Sequence, residues 1–211
     1  MRRRFRSAPT SSSSALLTLY RAPFSTNVER VALALAHKGL AAESVWIEYS
    51  DRSAVERVSG QPLVPVLVDG DQVVVDSMEI VRHLEERQPH PPLYPADAAR
   101  REEMLVFIEW FNQVWKVWPN SIEAGTGVKE CSAAMSRALD RFERMLDGRD
   151  HLMGDDFSAA DVAAFPFLKY ALSRDPEDDE DFHLILEKHQ PLDGHQRLAD
   201  WIERVDARPR A

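Results

Sequence analysis

Three short stretches of the chain combine hydroxyls, carboxylates and free backbone groups in patterns that could hold a small peptide-like ligand. The first is Tyr20-Arg-Ala-Pro-Phe-Ser25-Thr26-Asn27-Val-Glu29-Arg30, where an apolar run turns into helical periodicity. Thr26 and Glu29 have capping-box spacing, which by itself explains a hydroxyl at that place. A helix start also offers free N–H groups and a partial positive charge, which favour a bound anion. A hydroxyl there can hydrogen-bond a thiolate. The second stretch is Leu63-Val64-Pro65-Val66-Leu67. Proline removes a ladder donor, so it belongs at a sheet edge, a bulge or a cis bond. An ordinary edge strand accounts for it. Equally, the backbone of Val64 is left free to pair with an extended peptide by strand addition. The third is Asp76-Ser77-Met78-Glu79, again with capping-box spacing. The alternative is that Ser77 and the helix amides grip a carboxylate while Asp76 faces an ammonium group.

The elements that must position these residues follow from periodicity. Ala15 to Tyr20 reads as a buried strand, and Val28, Val31, Ala32, Leu35 and Ala36 recur at helical spacing up to Lys38-Gly39. Val45 to Tyr49 reads as a second strand and residues 53–59 as a short helix. Val64 to Val68 and Val73 to Val75 flank Asp69-Gly70-Asp71, a hairpin signal. A helix opens near Asp76 and carries Ile80, Val81 and Leu84 inward. The order β-α-β-α-β-β-α predicts a mixed sheet, parallel in its first half and antiparallel in its second, which is a thioredoxin-like arrangement. In such a sheet the starts of the first and third helices and the loop before the third strand share one edge, so the three stretches meet.

Beyond this unit, Pro89, Pro91, Pro92 and Pro95 interrupt any helix or central strand. Residues 15–88 are therefore predicted to form the thioredoxin-like domain, 89–96 a linker and 97–211 an all-helical domain. Apolar stripes at helical spacing run through Met104, Phe107, Ile108, Phe111, Trp115 and Trp118, through Met135 to Leu146, and through Leu198 to Val205. Most of the first stripe is expected in the core, with one or two of its aromatics facing the cleft. Phe157-Ser158-Ala-Ala-Asp161-Val162 reads as a capping box with a hydrophobic staple, starting a buried helix that contains Pro166. Asp175 to Asp181, with six acidic residues, reads as a solvated loop.

The sequence resembles the cytosolic glutathione S-transferase family over nearly all of residues 15–211. The markers are Tyr-Arg-x-Pro-Phe-Ser-Thr-x-Val-Glu-Arg-Val, Lys38-Gly39-Leu40, Val64-Pro65, the Asp76-Ser77 pair, Phe157-Ser-x-x-Asp161 and Trp201-Ile-Glu-Arg-Val-Asp-x-Arg-Pro209, in order and at the right spacing. The resemblance implies a thioredoxin-like glutathione domain followed by a helical domain, in a cytoplasmic homodimer. It implies Ser25 as the catalytic residue, with Thr26 and Asn27 close enough to compete for contacts with the thiol and Tyr20 a remote candidate. It implies a cis bond at Pro65, the Val64 backbone pairing the cysteinyl part of glutathione, and Asp76 and Ser77 holding its γ-glutamyl end. Glutathione is then a co-substrate, and a small apolar electrophile the second substrate. Many members carry Gln or Lys before the Val-Pro pair; here that position is Leu63, with Gln61 two residues away.

A serine at position 25 can donate a hydrogen bond to a thiolate but cannot form the mixed disulfide of the family's cysteine-type members. An alkylthiol titrates near 8.5, so only a few per cent is ionised at pH 7. A hydrogen bond to a charged group contributes roughly 1.5–3 kcal/mol, enough to lower that pKa by about one to two units. The expected function is glutathione transfer to an alkyl or aryl electrophile. Its rivals are a related glutathione-dependent dehalogenation or isomerisation, the use of another small thiol, or a non-catalytic ligand-binding protein of the same fold.

Composition narrows the partners. The net charge is −9, with 11 basic and 11 acidic side chains in residues 1–90 and 15 and 24 in residues 91–211, so neither half is a cationic surface for nucleic acid. No apolar run approaches the roughly 18 residues of a membrane span. Cys131 is the single cysteine, which excludes an internal disulfide and a cysteine-based zinc cluster, and it reads as a small buried hydrophobe. His183, His189 and His195 recur every six residues, which suits no helical metal ligation, and no metal is expected. Arg2, Arg3, Arg4 and Arg6 precede Ser11 to Ser14, a composition shared with transit peptides, but the stretch is short and residues 1–14 are read as a disordered tail.

Overall fold

The structure is a computed structural model that describes residues 16–211; the basic, serine-rich tail read at residues 1–14 lies outside them. Strand β1 (Leu17–Arg21) leads into α1 (Thr26–His37), β2 (Ala42–Trp46), α2 (Ser53–Ser59), β3 (Val66–Asp69), β4 (Gln72–Val75) and α3 (Ser77–Arg87). The strands lie in the order β2-β1-β3-β4. β1 and β2 are parallel, and β1–β3 and β3–β4 are antiparallel, which is the mixed sheet expected of a thioredoxin-like unit. Asp69 pairs with Gln72, so the hairpin turns on Gly70-Asp71 alone, with Gly70 at φ +61°. Below the hairpin, Asp69 is held by His83 and Arg87 of α3, which ties the turn to the helix that opens the third candidate stretch.

Helix α1 ends as its sequence dictates. Gly39 adopts φ +63° and the Leu40 N–H reaches back to Leu35 O at 2.9 Å, a left-handed stop that a β-carbon would disfavour. Its Val31, Ala34 and Leu35 are buried with Leu19 of β1, Leu67 of β3, and Ile80 and Leu84 of α3. Residues 88–97 contain no helix or strand. The second half is all-helical: α4 (Ala98–Trp110), α5 (Val117–Glu123), α6 (Val128–Met145), α7 (Ala159–Leu168), α8 (Asp181–Lys188) and α9 (Gln196–Asp206).

Two features join the halves. Helix α7 is buried along its whole length and packs on α1. Its start is the predicted capping box: the buried Asp161 carboxylate accepts from Ser158 N (2.9 Å), Ser158 Oγ (2.9 Å), Leu152 N (3.0 Å) and Trp201 Nε1 (2.9 Å). Four donors on one desolvated carboxylate fix α7, the preceding loop and α9 together. Between α4 and α5 the chain makes a π turn over Phe111–Trp115, closed by Lys116 N to Phe111 O at 3.0 Å. That wide turn keeps Phe111 and Trp115 stacked in the core, centroids 4.6 Å apart, while Asn112 and Lys116 face the first domain.

The acidic run departs from its reading as a wholly solvated loop. Asp178 is buried, accepting from Tyr170 Oη at 3.0 Å and lying 2.8 Å from His183 Nδ1. The signal was sequence-local and the burial is tertiary: α8 brings His183 over Tyr170, ring on ring at 4.5 Å. Cys131 is half-buried rather than buried. Among the described residues, no helix is long and apolar enough to cross a membrane.

Candidate functional site

At the start of α1 the cap is Ser25, not Thr26. Ser25 Oγ accepts from Val28 N at 3.4 Å, and Thr26 is the first helical residue, buried within the helix. The Thr26–Glu29 box does not form, because Glu29 is drawn instead into ion pairs with Lys169 (2.5 Å) and Arg210 (3.0 Å). Used only as an acceptor by the helix, the Ser25 hydroxyl keeps its proton free to donate elsewhere.

Pro65 is not on an edge strand. β3 is an interior strand, Pro65 precedes it, and the Val64–Pro65 peptide is cis. Among the described residues no hydrogen bond engages the Val64 N–H or C=O. The loop before it is braced by Gln61, whose side chain donates to Leu63 O (2.9 Å) and accepts from Leu63 N (2.6 Å). Gln61 is thereby committed to the loop, and Leu63 is left 70% exposed.

Asp76 caps α3, accepting from Met78 N (2.8 Å) and Glu79 N (3.2 Å). It does so at φ +69°, ψ 129°, a strained backbone for a residue with a β-carbon. Glu79 turns away to Arg82 at 2.5 Å instead of returning to the cap. The strained residue presents the next one, Ser77, inward, where it is buried and its Oγ accepts from Arg30 Nη1 at 3.2 Å.

These stretches converge. Asn27, Val64, Pro65, Asp76 and Ser77 line one cavity of about 1120 Å³ between the two halves of the molecule. Ser25 does not share it: Ser25 lines a separate cavity of about 200 Å³ with Arg21, Trp46, Lys169 and Arg210. Thr26 is buried in α1 and belongs to neither wall. The far wall of the large cavity is the outer face of α4 and the π turn, with Leu105, Val106, Ile108, Glu109, Asn112, Gln113 and Lys116. Of the predicted aromatics, Phe107, Phe111 and Trp115 are core, and Trp110 and Trp118 flank a third, 240 Å³ cavity with Arg137 and Arg141. None of these aromatics lines the large cavity; of the apolar stripe only Ile108 does, beside the residues of α4 that lie outside the stripe.

Two residues at the floor were not among the expected site residues, Arg30 entering only as part of the first stretch and Lys116 not at all. Arg30, 1% exposed, donates all five of its N–H groups: Nε (2.9 Å) and Nη2 (2.7 Å) to Ala163 O, Nη2 to Asn112 Oδ1 (2.9 Å), and Nη1 to Asn27 Oδ1 (3.3 Å) and Ser77 Oγ (3.2 Å). It thus links α1, α3, the π turn and α7 at one point. Burial pulls its pKa down to about 9, partly offset by Asp76. Lys116 donates to Asn27 Oδ1 at 3.4 Å, and burial, then the neighbouring Arg30 charge, pulls its pKa down to about 8 against an opposing pull from Asp76. Both cations sit over the Phe167 ring, at 4.8 and 4.9 Å from its centroid. Tyr94, also on the wall, is raised by burial to about 12 and stays a neutral phenol.

The three histidines of the second domain do not meet. His183 is engaged by Asp178, His189 lies 2.8 Å from Ser132 Oγ, and His195 lies 3.0 Å from Asp140. Asp178, Glu180 and His183 bring three possible metal ligands together, but Asp178 and His183 are already hydrogen-bonded to each other.

The two-part scaffold has counterparts among known proteins. Residues 19–92 match the glutathione S-transferase N-terminal domain and residues 106–204 the glutathione S-transferase C-terminal domain. Glutathione S-transferase Z1 of Arabidopsis thaliana is 30% identical over 173 residues, covering 75% of this chain and 78% of the relative. The chain belongs to the glutathione S-transferase family. It is also similar to a stringent starvation protein A homolog of Coxiella burnetii, 26% identical over 73% of this chain and 75% of that protein. A solved glutathione S-transferase from Rhodospirillum rubrum superposes with a TM-score of 0.72 at 25% identity, covering 92% of this chain and 89% of that one. In this member of the family, the sheet edge carries the polar wall of the large cavity and α4 the mixed wall opposite.

Proposed function

We propose that the protein is a glutathione transferase that binds glutathione across Val64, Asp76 and Ser77 and uses its thiolate on an electrophile held against α4. The observation that carries this is the convergence of Asn27, Val64, Pro65, Asp76 and Ser77 on one cavity, with the Val64 backbone free. A peptide with an extended backbone satisfies Val64 by strand-like pairing. Its γ-glutamyl carboxylate is suited to the backbone N–H and hydroxyl of Ser77, and its ammonium to Asp76. Leu63 supplies no hydrogen bond for the glycyl end, so that end is held less firmly than in members with a polar residue there.

In this reading the thiol loses its proton to solvent, and the thiolate is stabilised by the start of α1, with the Ser25 O–H as donor. The sulfur electron pair forms a C–S bond at the electrophilic carbon. The displaced pair leaves with a leaving group, or enters the acceptor and is protonated from water. Family membership and the resemblance at Ser25 support the assignment to Ser25; its position in a separate small cavity requires the glutathione sulfur to reach past Asn27 to the α1 cap. The family resemblance also supports a cytoplasmic homodimer. The apolar, exposed Leu63, where many members carry a polar residue, favours one alternative, a ligand-binding role without turnover. Titration with reduced glutathione, followed by thiolate absorbance across pH, tests the proposal: saturable binding with a depressed thiol pKa supports transfer, whereas binding with an unshifted thiol supports the non-catalytic alternative.

A further inference from the structure

Lys116 of the second domain and Ser77 of the first come together at one atom. Asn27 Oδ1 accepts from Lys116 Nζ at 3.4 Å and lies 3.5 Å from Ser77 Oγ. Two donors so placed can be bridged by one carboxylate, each of its oxygens accepting at about 2.8 Å. The Ser77 O–H is available to donate, because Arg30 Nη1 uses the Ser77 oxygen as an acceptor at 3.2 Å. Lys116 lacks a counter-charge: its three N–H groups have only Asn27 Oδ1 as hydrogen-bond acceptor among the described residues. No carboxylate lies within 4 Å of Lys116 or Arg30 among the described residues, Glu109 on the α4 wall included. Asp76 acts on both cations from a distance while its Oδ1 holds the α3 amides, and Glu79 is engaged by Arg82. Burying a cation without a partner is costly, and a bound anion removes that cost.

The π turn over Phe111–Trp115 aims Lys116 at this point: with one residue fewer, the helix would carry it about 100° round its axis. Asp76 beside Ser77 then sets one negative group next to two donors for an anion, the complement of an α-amino acid's ammonium and carboxylate. The γ-glutamyl residue is the one part of glutathione that carries both. We propose that Lys116 is a ligand-binding residue of this site: its ammonium takes one oxygen of the γ-glutamyl α-carboxylate while Ser77 takes the other, so both domains grip the peptide and thiols without that carboxylate are selected against. This rests on the reading of the cavity as a glutathione site. The glycyl carboxylate lies at the other end of the peptide, beyond the cysteinyl part at Val64.

The test compares three ligands on the full chain by ligand-observed NMR, which reaches weak affinities. They are S-methylglutathione, its glycyl ethyl ester, and its analogue with 4-aminobutanoyl in place of γ-glutamyl, which lacks only the α-carboxylate. The parent protein should prefer S-methylglutathione over the analogue. That preference should fall about 10-fold in Lys116→Met, the loss of one charge-assisted hydrogen bond, and hold within about three-fold in Lys116→Arg, with folding of each verified by circular dichroism. The ester should lose affinity in Lys116→Met as S-methylglutathione does. A preference unchanged in Lys116→Met overturns the assignment, because a merely structural lysine weakens both ligands alike. An ester that binds Lys116→Met as well as it binds the parent also overturns it, because Lys116 then serves the glycyl carboxylate. Absence of saturable S-methylglutathione binding to the parent overturns the glutathione reading itself, and this assignment with it.

Discussion

Arg30 Nη1 and Ser77 Oγ are 3.2 Å apart, a hydrogen bond between the first turn of α3 and the second turn of α1. Because Arg30 donates, Ser77 accepts, and the serine O–H is left to donate to a carboxylate or to Asn27 Oδ1 at 3.5 Å. The same guanidinium ties the first domain to Ala163 of α7. The ligand wall and the interface between the halves therefore share one buried charge.

Ser77→Ala should raise the glutathione Kd by about 10-fold, the loss of one hydrogen bond to a charged group, and cost about 1 kcal/mol of stability because one buried Arg30 N–H loses its acceptor. Arg30→Lys should do both kinds of damage. An ammonium has three donors against five, so at least two of these hydrogen bonds are lost and at least one of the four acceptors loses its partner, and unfolding free energy should fall by about 2–4 kcal/mol. Denaturant titration and glutathione titration on both variants separate the two effects.

The architecture was legible in sequence because each of its signals is local. The short apolar runs, the Asp69-Gly70-Asp71 turn, Lys38-Gly39 and the Ser158–Asp161 box each place an element within a few residues of where it lies. The site was legible in part. Asn27, Val64, Pro65, Asp76 and Ser77 sit at element ends, where turn and cap chemistry marks them. Arg30 and Lys116 lie inside helical patterns, where a charged residue reads as solvent-facing. The phase of α4 was legible as a core stripe, but which solvent-side residues meet the first domain depends on the π turn, and nothing in Phe111-Asn-Gln-Val-Trp115 announces one. The cap at Ser25 was misread as Thr26 because Thr26 and Glu29 match the box spacing, whereas Glu29 is captured by Lys169 and Arg210, both distant in sequence.

Ser25 caps α1 and is also the proposed thiolate donor, and the two roles are separable. Ser25→Ala removes the α1 cap, costing about 1 kcal/mol of stability, and removes the proposed thiolate donor, lowering turnover by about 10- to 1000-fold with most glutathione affinity retained. Ser25→Thr keeps hydroxyl and cap and should stay within a few-fold of the parent in both. Stopped denaturant curves and kcat on the three proteins check this. Loss of turnover in Asn27→Ala but not in Ser25→Ala would move the donor into the large cavity.

Lys116 gives a pH signature. Its folded pKa, about 8 against 10.5 for the free side chain, means the unfolded chain binds more protons between those values, so this group makes the fold more stable as pH rises through that window. Arg30, the neighbouring charge that acts on it, stays ionised across the lower part of the window. Below pH 8 the cost of the buried charge is fully present. Lys116→Met should therefore raise the melting temperature at pH 7, by roughly 3 kcal/mol of stability or less, and the gain should shrink toward pH 10. Thermal scans from pH 6 to 10 on both proteins test the sign.

Asp161 anchors the second domain independently of any ligand. Asp161→Ala strands four donors, those of Leu152, Ser158 (two) and Trp201, and should cost about 3–5 kcal/mol by denaturant unfolding. A loss under 1 kcal/mol would show that this network is not what fixes α7.

The most direct test of the account is the pKa of the glutathione thiol on the protein, read from thiolate absorbance as pH is varied at saturating protein. The account predicts saturable binding and a thiol pKa about one to two units below the free value near 8.5, with the shift lost in Ser25→Ala. No saturation at millimolar glutathione, or a bound thiol titrating as it does free in water, would contradict it.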